Sequence, residues 1–134
     1  MNFYIQRKAN KYGAQKTIYN GLKYDSKGEA GYAGELDILL KAGEISKIER
    51  QKTFILYGKN GGRITTHRVD FLVTFPDGHQ EVHEFKGWGT DVWKIKRDLF
   101  VDNYPEILYV TITPKGNWFG KQKQLYGHGR RPHS

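Results

Sequence analysis

Residues 68–86 leave little freedom in how they pair. Arg68 to Phe75 alternates, placing Val69, Phe71, Val73 and Phe75 on one face and Arg68, Asp70, Leu72 and Thr74 on the other. Pro76-Asp77-Gly78 is turn chemistry, and residues 80–86 form a second strand with Val82, Glu84 and Lys86 on one face. A type I turn at Pro76 and Asp77 with Gly78 left-handed makes a three-residue loop, so Phe75 pairs with His79. The numbers of paired residues then sum to 154. Asp70 falls across from Glu84, with β-carbons about 4.5–5.5 Å apart, and Lys86 follows two residues along the same face.

Like charges directly opposite on a sheet are unfavourable, so something must offset them. A hard divalent cation does this: Mg²⁺ takes one or two carboxylates and completes its octahedron with water and substrate phosphate. Lys86 beside it can orient or help deprotonate an attacking water and offset charge developing on phosphorus oxygens. The chemistry implied is phosphodiester hydrolysis. The competing reading is a structural ion cluster of Asp70 and Glu84 with Lys86 or Arg68.

The remaining pattern supplies helices and further strands. Ser26 with Glu29 has capping-box spacing before a helix over 27–42, which Gly43 ends. Its stripe of Ala33, Leu36 and Leu40 carries Glu29 on the sheet-facing side, one turn from the start, whereas Glu35 falls toward solvent. Glu29 is thus either a third acid at the sheet edge or an ordinary cap. A strand over 48–56 and a glycine loop at 58–62 precede the hairpin. A second helix runs from Thr90 or Asp91 to about Asn103, with Val92, Ile95 and Leu99 expected inward and Tyr104-Pro105 stopping it. Lys96 flanks that stripe and reads either as a DNA contact reaching toward the carboxylates or as part of a solvated face, Lys94 and Arg97 point outward, and Trp88 and Trp93 belong to the core or stack on unpaired bases, with core favoured for Trp93. Residues 107–113 are a buried strand. The order is α-β-β-β-α-β.

Charge is distributed unevenly. The 134 residues carry 22 basic and 14 acidic side chains, net +8. Residues 1–24 hold Arg7, Lys8, Lys11, Lys16 and Lys23 and no acid, and residues 115–134 hold Lys115, Lys121, Lys123, Arg130 and Arg131 and no acid. The centre, 25–114, is left at −2, from 12 bases and 14 acids. An acidic centre between basic arms suits a cation site flanked by phosphate-binding segments, and solubilising tails are the alternative. The N-terminal arm shows no sustained period and reads as irregular or weakly stranded.

Several classes of function drop out. No cysteine is present, which excludes disulfides, thiol catalysis and cysteine-bound zinc and points to the cytoplasm. No long apolar run predicts membrane insertion, and residues 1–8 lack a signal-peptide core. The glycine loop lacks the Lys-Ser or Lys-Thr ending of a P-loop, so no nucleotide cofactor is expected. His67, His79, His83, His128 and His133 have no metal-ligand spacing, and His83 faces away from Glu84.

Asp70, thirteen intervening residues and Glu84-Phe85-Lys86, preceded by a helix bearing Glu29, resemble the PD-(D/E)XK nuclease superfamily over roughly residues 26–113. Val69 stands where the superfamily name has proline. More narrowly, Ser26-Lys27-Gly28-Glu29, Lys41-Ala42-Gly43-Glu44-Ile45, Glu49-Arg50-Gln51, Asp70-Phe71, Phe75-Pro76-Asp77-Gly78 and Glu84-Phe85-Lys86-Gly87 resemble a small phage-encoded domain-of-unknown-function family similar to Holliday-junction resolvases.

The resemblance implies a restriction-endonuclease-like α/β core at 25–114, with a mixed central sheet flanked by helices, between a basic aromatic arm at 1–24 and a basic tail at 115–134. It implies Asp70, Glu84 and Glu29 as ligands of Mg²⁺, replaceable by Mn²⁺, with Lys86 as the catalytic lysine and Gln51 near the site. The arms, through Arg7, Lys8, Lys11, Lys16, Lys121 and Lys123, would hold DNA. The expected activity is that of a homodimeric endodeoxyribonuclease on four-way junctions or other branched DNA, in the host cytoplasm if phage-encoded. A nicking or restriction-like nuclease on linear duplex and a non-catalytic nucleic-acid-binding protein are the alternatives.

Overall fold

The computed structural model describes the backbone of residues 3–6, 16–19, 22–24, 27–85, 89–115 and 117–126, and the side chains of 27–85, 89–112 and Leu125. The chain forms two compact units, residues 1–43 and 44–134.

In the first unit, β1 (Phe3–Gln6), β2 (Lys16–Tyr19) and β3 (Leu22–Tyr24) form an antiparallel sheet in that order, where the sequence suggested weak or irregular structure. Helix α1 (Lys27–Lys41) packs against β2 and β3. Ala30, Tyr32, Ala33 and Leu36 are buried, but Leu40, expected on the stripe, is exposed, because burial ends with Leu36. Gly43 closes the helix at φ 79°, a left-handed conformation that a side chain would strain.

The second unit is α/β, built on one mixed five-stranded sheet. Strands β4 (Lys47–Tyr57), β5 (Arg63–Thr74), β6 (Gln80–Phe85), β7 (Leu108–Lys115) and β8 (Asn117–Tyr126) lie in sequence order. All neighbours are antiparallel except β6 and β7, which helix α2 (Asp91–Asn103) connects in parallel. Strand β8 comes from the segment that charge alone marks as a tail; it pairs with the second edge of β7.

The β5–β6 hairpin has the expected register, with Phe71 opposite His83 and Thr74 opposite Gln80. The Phe75 amide donates to the His79 carbonyl at 2.9 Å, the Gly78 amide donates to the Phe75 carbonyl at 2.9 Å, and Gly78 is left-handed at φ 94°. Asp77 Oδ1 fixes the turn by accepting from the His79 amide at 3.0 Å.

Thr90 caps α2, its Oγ1 accepting from the Trp93 amide at 3.1 Å. The inward face differs from the expectation. Val92 and Ile95 are 63% and 66% exposed, while Phe100 is fully buried and Trp93, Leu99 and Val101 pack beside it. The stripe actually used runs Trp93, Arg97, Phe100, Tyr104, at helical spacing but interrupted by a charge. Arg97, expected outward, is half-buried with its guanidinium 5.1 Å from the Trp93 ring centroid, and it pairs with Asp98. Phe100 meets Phe54 edge-on at 4.9 Å and Tyr109 at 5.3 Å, so aromatic packing on Leu56, Val69, Leu72 and Val82 sets the helix orientation.

The end of α2 also seals the outer edge of β4. Asn103 Oδ1 accepts from the Tyr57 amide at 2.8 Å, its Nδ2 donates to the Tyr57 carbonyl at 3.1 Å, and the Tyr104 hydroxyl donates to the Ile55 carbonyl at 2.7 Å. Backbone groups of an edge strand are thus satisfied by side chains.

Candidate functional site

Asp70 marks a break in the sheet. On one side, Arg50 pairs with Phe71 and Lys52 with Val69, so Gln51 is level with Asp70, yet the two are not ladder partners. Gln51 has φ 56° and is the one non-glycine residue with positive φ among the described residues. On the other side, the β5–β6 ladder ends at Phe71 and His83, one step short of Asp70 and Glu84. An unbroken ladder would next bond Val69 with Phe85. Instead the Phe85 amide donates to Asp70 Oδ2 at 2.9 Å.

This break corrects the strict alternation read from the sequence. Leu72 pairs with Val82, and Val82 with Tyr109, so all three share the face covered by α2. Val69 joins the same cluster, and His67 bonds Tyr109, although positions 67 and 69 should face away from 72. Alternation is reset between Val69 and Leu72, and Asp70 occupies the reset. Phe71 and Val73, on the opposite face, are also fully buried.

Glu84 is 2% exposed on β6 and is held from two elements. Trp93 Nε1 of α2 donates to its Oε2 at 2.7 Å, and the Tyr109 hydroxyl of β7 donates to the same oxygen. His67 Nε2 lies 2.8 Å from the Tyr109 oxygen. Burial first, then the charge of Glu84 and the bond to it, hold the Tyr109 phenol far above the usual tyrosine range, against a smaller opposing effect of Trp93. The charge of Asp70 adds to this shift, so both carboxylates bear on one buried hydroxyl.

Asp70 and Glu84 thus lie on neighbouring strands, each with an oxygen engaged by a donor. Glu29 is buried in the first turn of α1, in the other unit. Gln51 stands level with Asp70. Lys96 is half-buried on α2. Lys16 lies on β2, and Lys121 and Lys123 lie on β8. Lys86, Arg7, Lys8 and Lys11 lie outside the described residues, as do Ser26, Trp88, His128 and His133. Among the described residues no group of three or more His, Cys, Asp or Glu is arranged to hold a metal ion, and no helix is long and apolar enough to cross a membrane.

Sequence reasoning missed Trp93 and Tyr109 as partners of Glu84, and His67 as the partner of Tyr109. The available signal was a hydroxyl at position 109 inside an otherwise apolar strand, which must find a partner when buried.

A second polar chain follows the opposite face of the hairpin. His79 Nδ1 lies 2.5 Å from Asp77 Oδ1 and its Nε2 3.2 Å from Glu81 Oε2, while His83 Nε2 lies 2.8 Å from Glu81 Oε1. Burial lowers the His79 pKa, but the bonds and charges of Asp77 and Glu81 outweigh it and raise the imidazole above its ordinary value. The bond from His83, against the effect of burial and with help from His79, lowers the Glu81 carboxyl.

The model of a protein family described as "Protein of unknown function (DUF1064)" matches residues 9–118. The chain belongs to this family. The match to DUF1064 spans α1, α2 and β4 to β7, and so includes Glu29, Asp70, Glu84 and the donors that hold Glu84. No curated protein and no solved structure matches the chain.

Proposed function

We propose that this DUF1064 protein is a Mg²⁺-dependent, structure-selective DNA endonuclease, a homodimeric Holliday-junction resolvase of PD-(D/E)XK type. The observation that supports the reading is that Asp70 and Glu84, on neighbouring strands at the end of their ladder, each have an oxygen held by a donor, the Phe85 amide for one and Trp93 and Tyr109 for the other. A carboxylate that takes the place of a ladder acceptor, level with a strained backbone at Gln51, is a poor device for stability alone.

The donor set fits the ion. Two carboxylates supply hard oxygens, and ligands of this kind are held by outer hydrogen-bond donors, as Asp70 and Glu84 are. Asp70 and Glu84 would hold Mg²⁺, with Glu29 as the third acid. The ion supplies Lewis acidity toward phosphate oxygens and lowers the pKa of a water. Lys86, two residues beyond Glu84, would orient that water and offset charge on the scissile phosphate. Lys96 and the basic arms, with Arg7, Lys8, Lys11, Lys16, Lys121 and Lys123, would bind phosphates at branched DNA.

Cleavage of a synthetic four-way junction by wild type and Asp70→Asn, with Mg²⁺ and with chelator, tests the reading. Metal-dependent cutting that Asp70→Asn loses is expected, and equal cutting by both proteins overturns it. Competition by linear duplex of equal length separates junction selectivity from a nuclease acting on ordinary duplex.

A further inference from the structure

The buried side chains behind Glu84 form a directed chain. Glu84, Tyr109 and His67 are 2%, 0% and 4% exposed, so each polar atom there needs a partner. A phenol has one proton, and Tyr109 gives it to Glu84 Oε2. The contact at 2.8 Å between the Tyr109 oxygen and His67 Nε2 must then be donated by the imidazole. His67 thus carries its proton on Nε2, and donation runs from His67 to Tyr109 to Glu84, with Trp93 donating from α2. Were the imidazole proton on Nδ1, Nε2 would take the phenol proton and leave two oxygens facing each other.

We propose that Tyr109 and His67 are positioning residues for Glu84, holding its carboxylate in the orientation in which it takes an ion. Two donors on Oε2, one from α2 and one from β7, fix the direction of the carboxylate, and ligation needs an oxygen presented in a fixed direction. The three residues come from β5, β6 and β7, so the sheet itself sets the rotamer. This inference rests on the reading of Asp70 and Glu84 as a cation site.

The test measures Mn²⁺ binding to the full chain without DNA, by electron paramagnetic resonance of the free ion, alongside circular dichroism and thermal unfolding in chelator. Tyr109→Phe is expected to raise the Mn²⁺ dissociation constant about 10–100-fold, the usual scale for an outer-shell partner. His67→Gln, which keeps a donor toward Tyr109, should bind nearly as wild type, and His67→Leu should bind at least fivefold more weakly than His67→Gln. A purely structural role would lower thermal stability without this split. A folded Tyr109→Phe that binds Mn²⁺ as wild type, while Glu84→Gln does not, overturns the positioning role and leaves the cation site standing. Wild-type binding by Glu84→Gln overturns the site and the inference together. If Tyr109→Phe fails to fold, equal affinity of His67→Gln and His67→Leu overturns the proposal.

Discussion

Gln51 lies level with Asp70 across β4 and β5 where the ladder skips one step, and its backbone is left-handed at φ 56°. A left-handed non-glycine residue costs on the order of 1–3 kcal/mol, whereas glycine adopts that conformation freely at an entropic cost of about 0.5–1 kcal/mol. Gln51→Gly should therefore leave stability equal or raise it by up to about 1 kcal/mol, and Gln51→Val should lower it by about 1–2 kcal/mol. Urea unfolding of the three proteins checks this, and a Val variant as stable as the Gly variant would contradict the strain.

The face of α2 gives a contrasting pair. Phe100→Ala removes a fully buried ring and should cost about 3–5 kcal/mol. Val92→Ser and Ile95→Gln, at exposed positions, should each stay within about 0.5 kcal/mol of wild type. Denaturant midpoints measure both, and a large loss at Ile95 would restore the inward face suggested by the Val92, Ile95, Leu99 spacing.

The Asp77, His79, Glu81, His83 chain predicts a pH window. His79 has its folded pKa raised above 6.5, so its contribution is full below that value and vanishes as pH rises through the raised one. Glu81 has its pKa lowered below 4.5, so its contribution is full above that value and vanishes as pH falls through the lowered one. The difference in Tm between wild type and His79→Gln should be widest between these ordinary values and close toward alkaline pH. Exposure of His79 keeps the difference small. Thermal scans from pH 4 to 9 follow it; a gap that widens above neutrality contradicts the assignment.

Replacing arm lysines should act on DNA affinity across sequences. For each phosphate that Lys121, Lys123, Lys8 or Lys11 neutralises, substitution by Ala should flatten the slope of log K against log salt by about 0.9 on duplex DNA. Salt titrations of binding measure this, and an unchanged slope in the multiple variant would remove the arms from the interface.

Local chemistry made much of this architecture legible. Pro76-Asp77-Gly78 fixed the hairpin register because a three-residue turn admits one pairing, and Thr90 and Gly43 marked helix ends through specific backbone needs. The same alternation concealed the reset at Asp70, since a period of two contains no sign of a residue that leaves the ladder. Helix α2 was misjudged because Val92, Ile95 and Leu99 make a cleaner apolar stripe than one containing Arg97. The partners of Glu84 come from positions 93 and 109, with His67 behind Tyr109, and only the folded sheet brings such distant residues together.

Asn103 grips both backbone groups of Tyr57, and Tyr104 takes the carbonyl of Ile55, so the last turn of α2 and the far end of β4 cannot open separately. Fraying of the helix would expose the outer strand, and lifting of the strand would unwind the helix. Because Trp93 on that same helix grips Glu84, the two ends of α2 link the integrity of the sheet margin to the aim of a carboxylate in its interior.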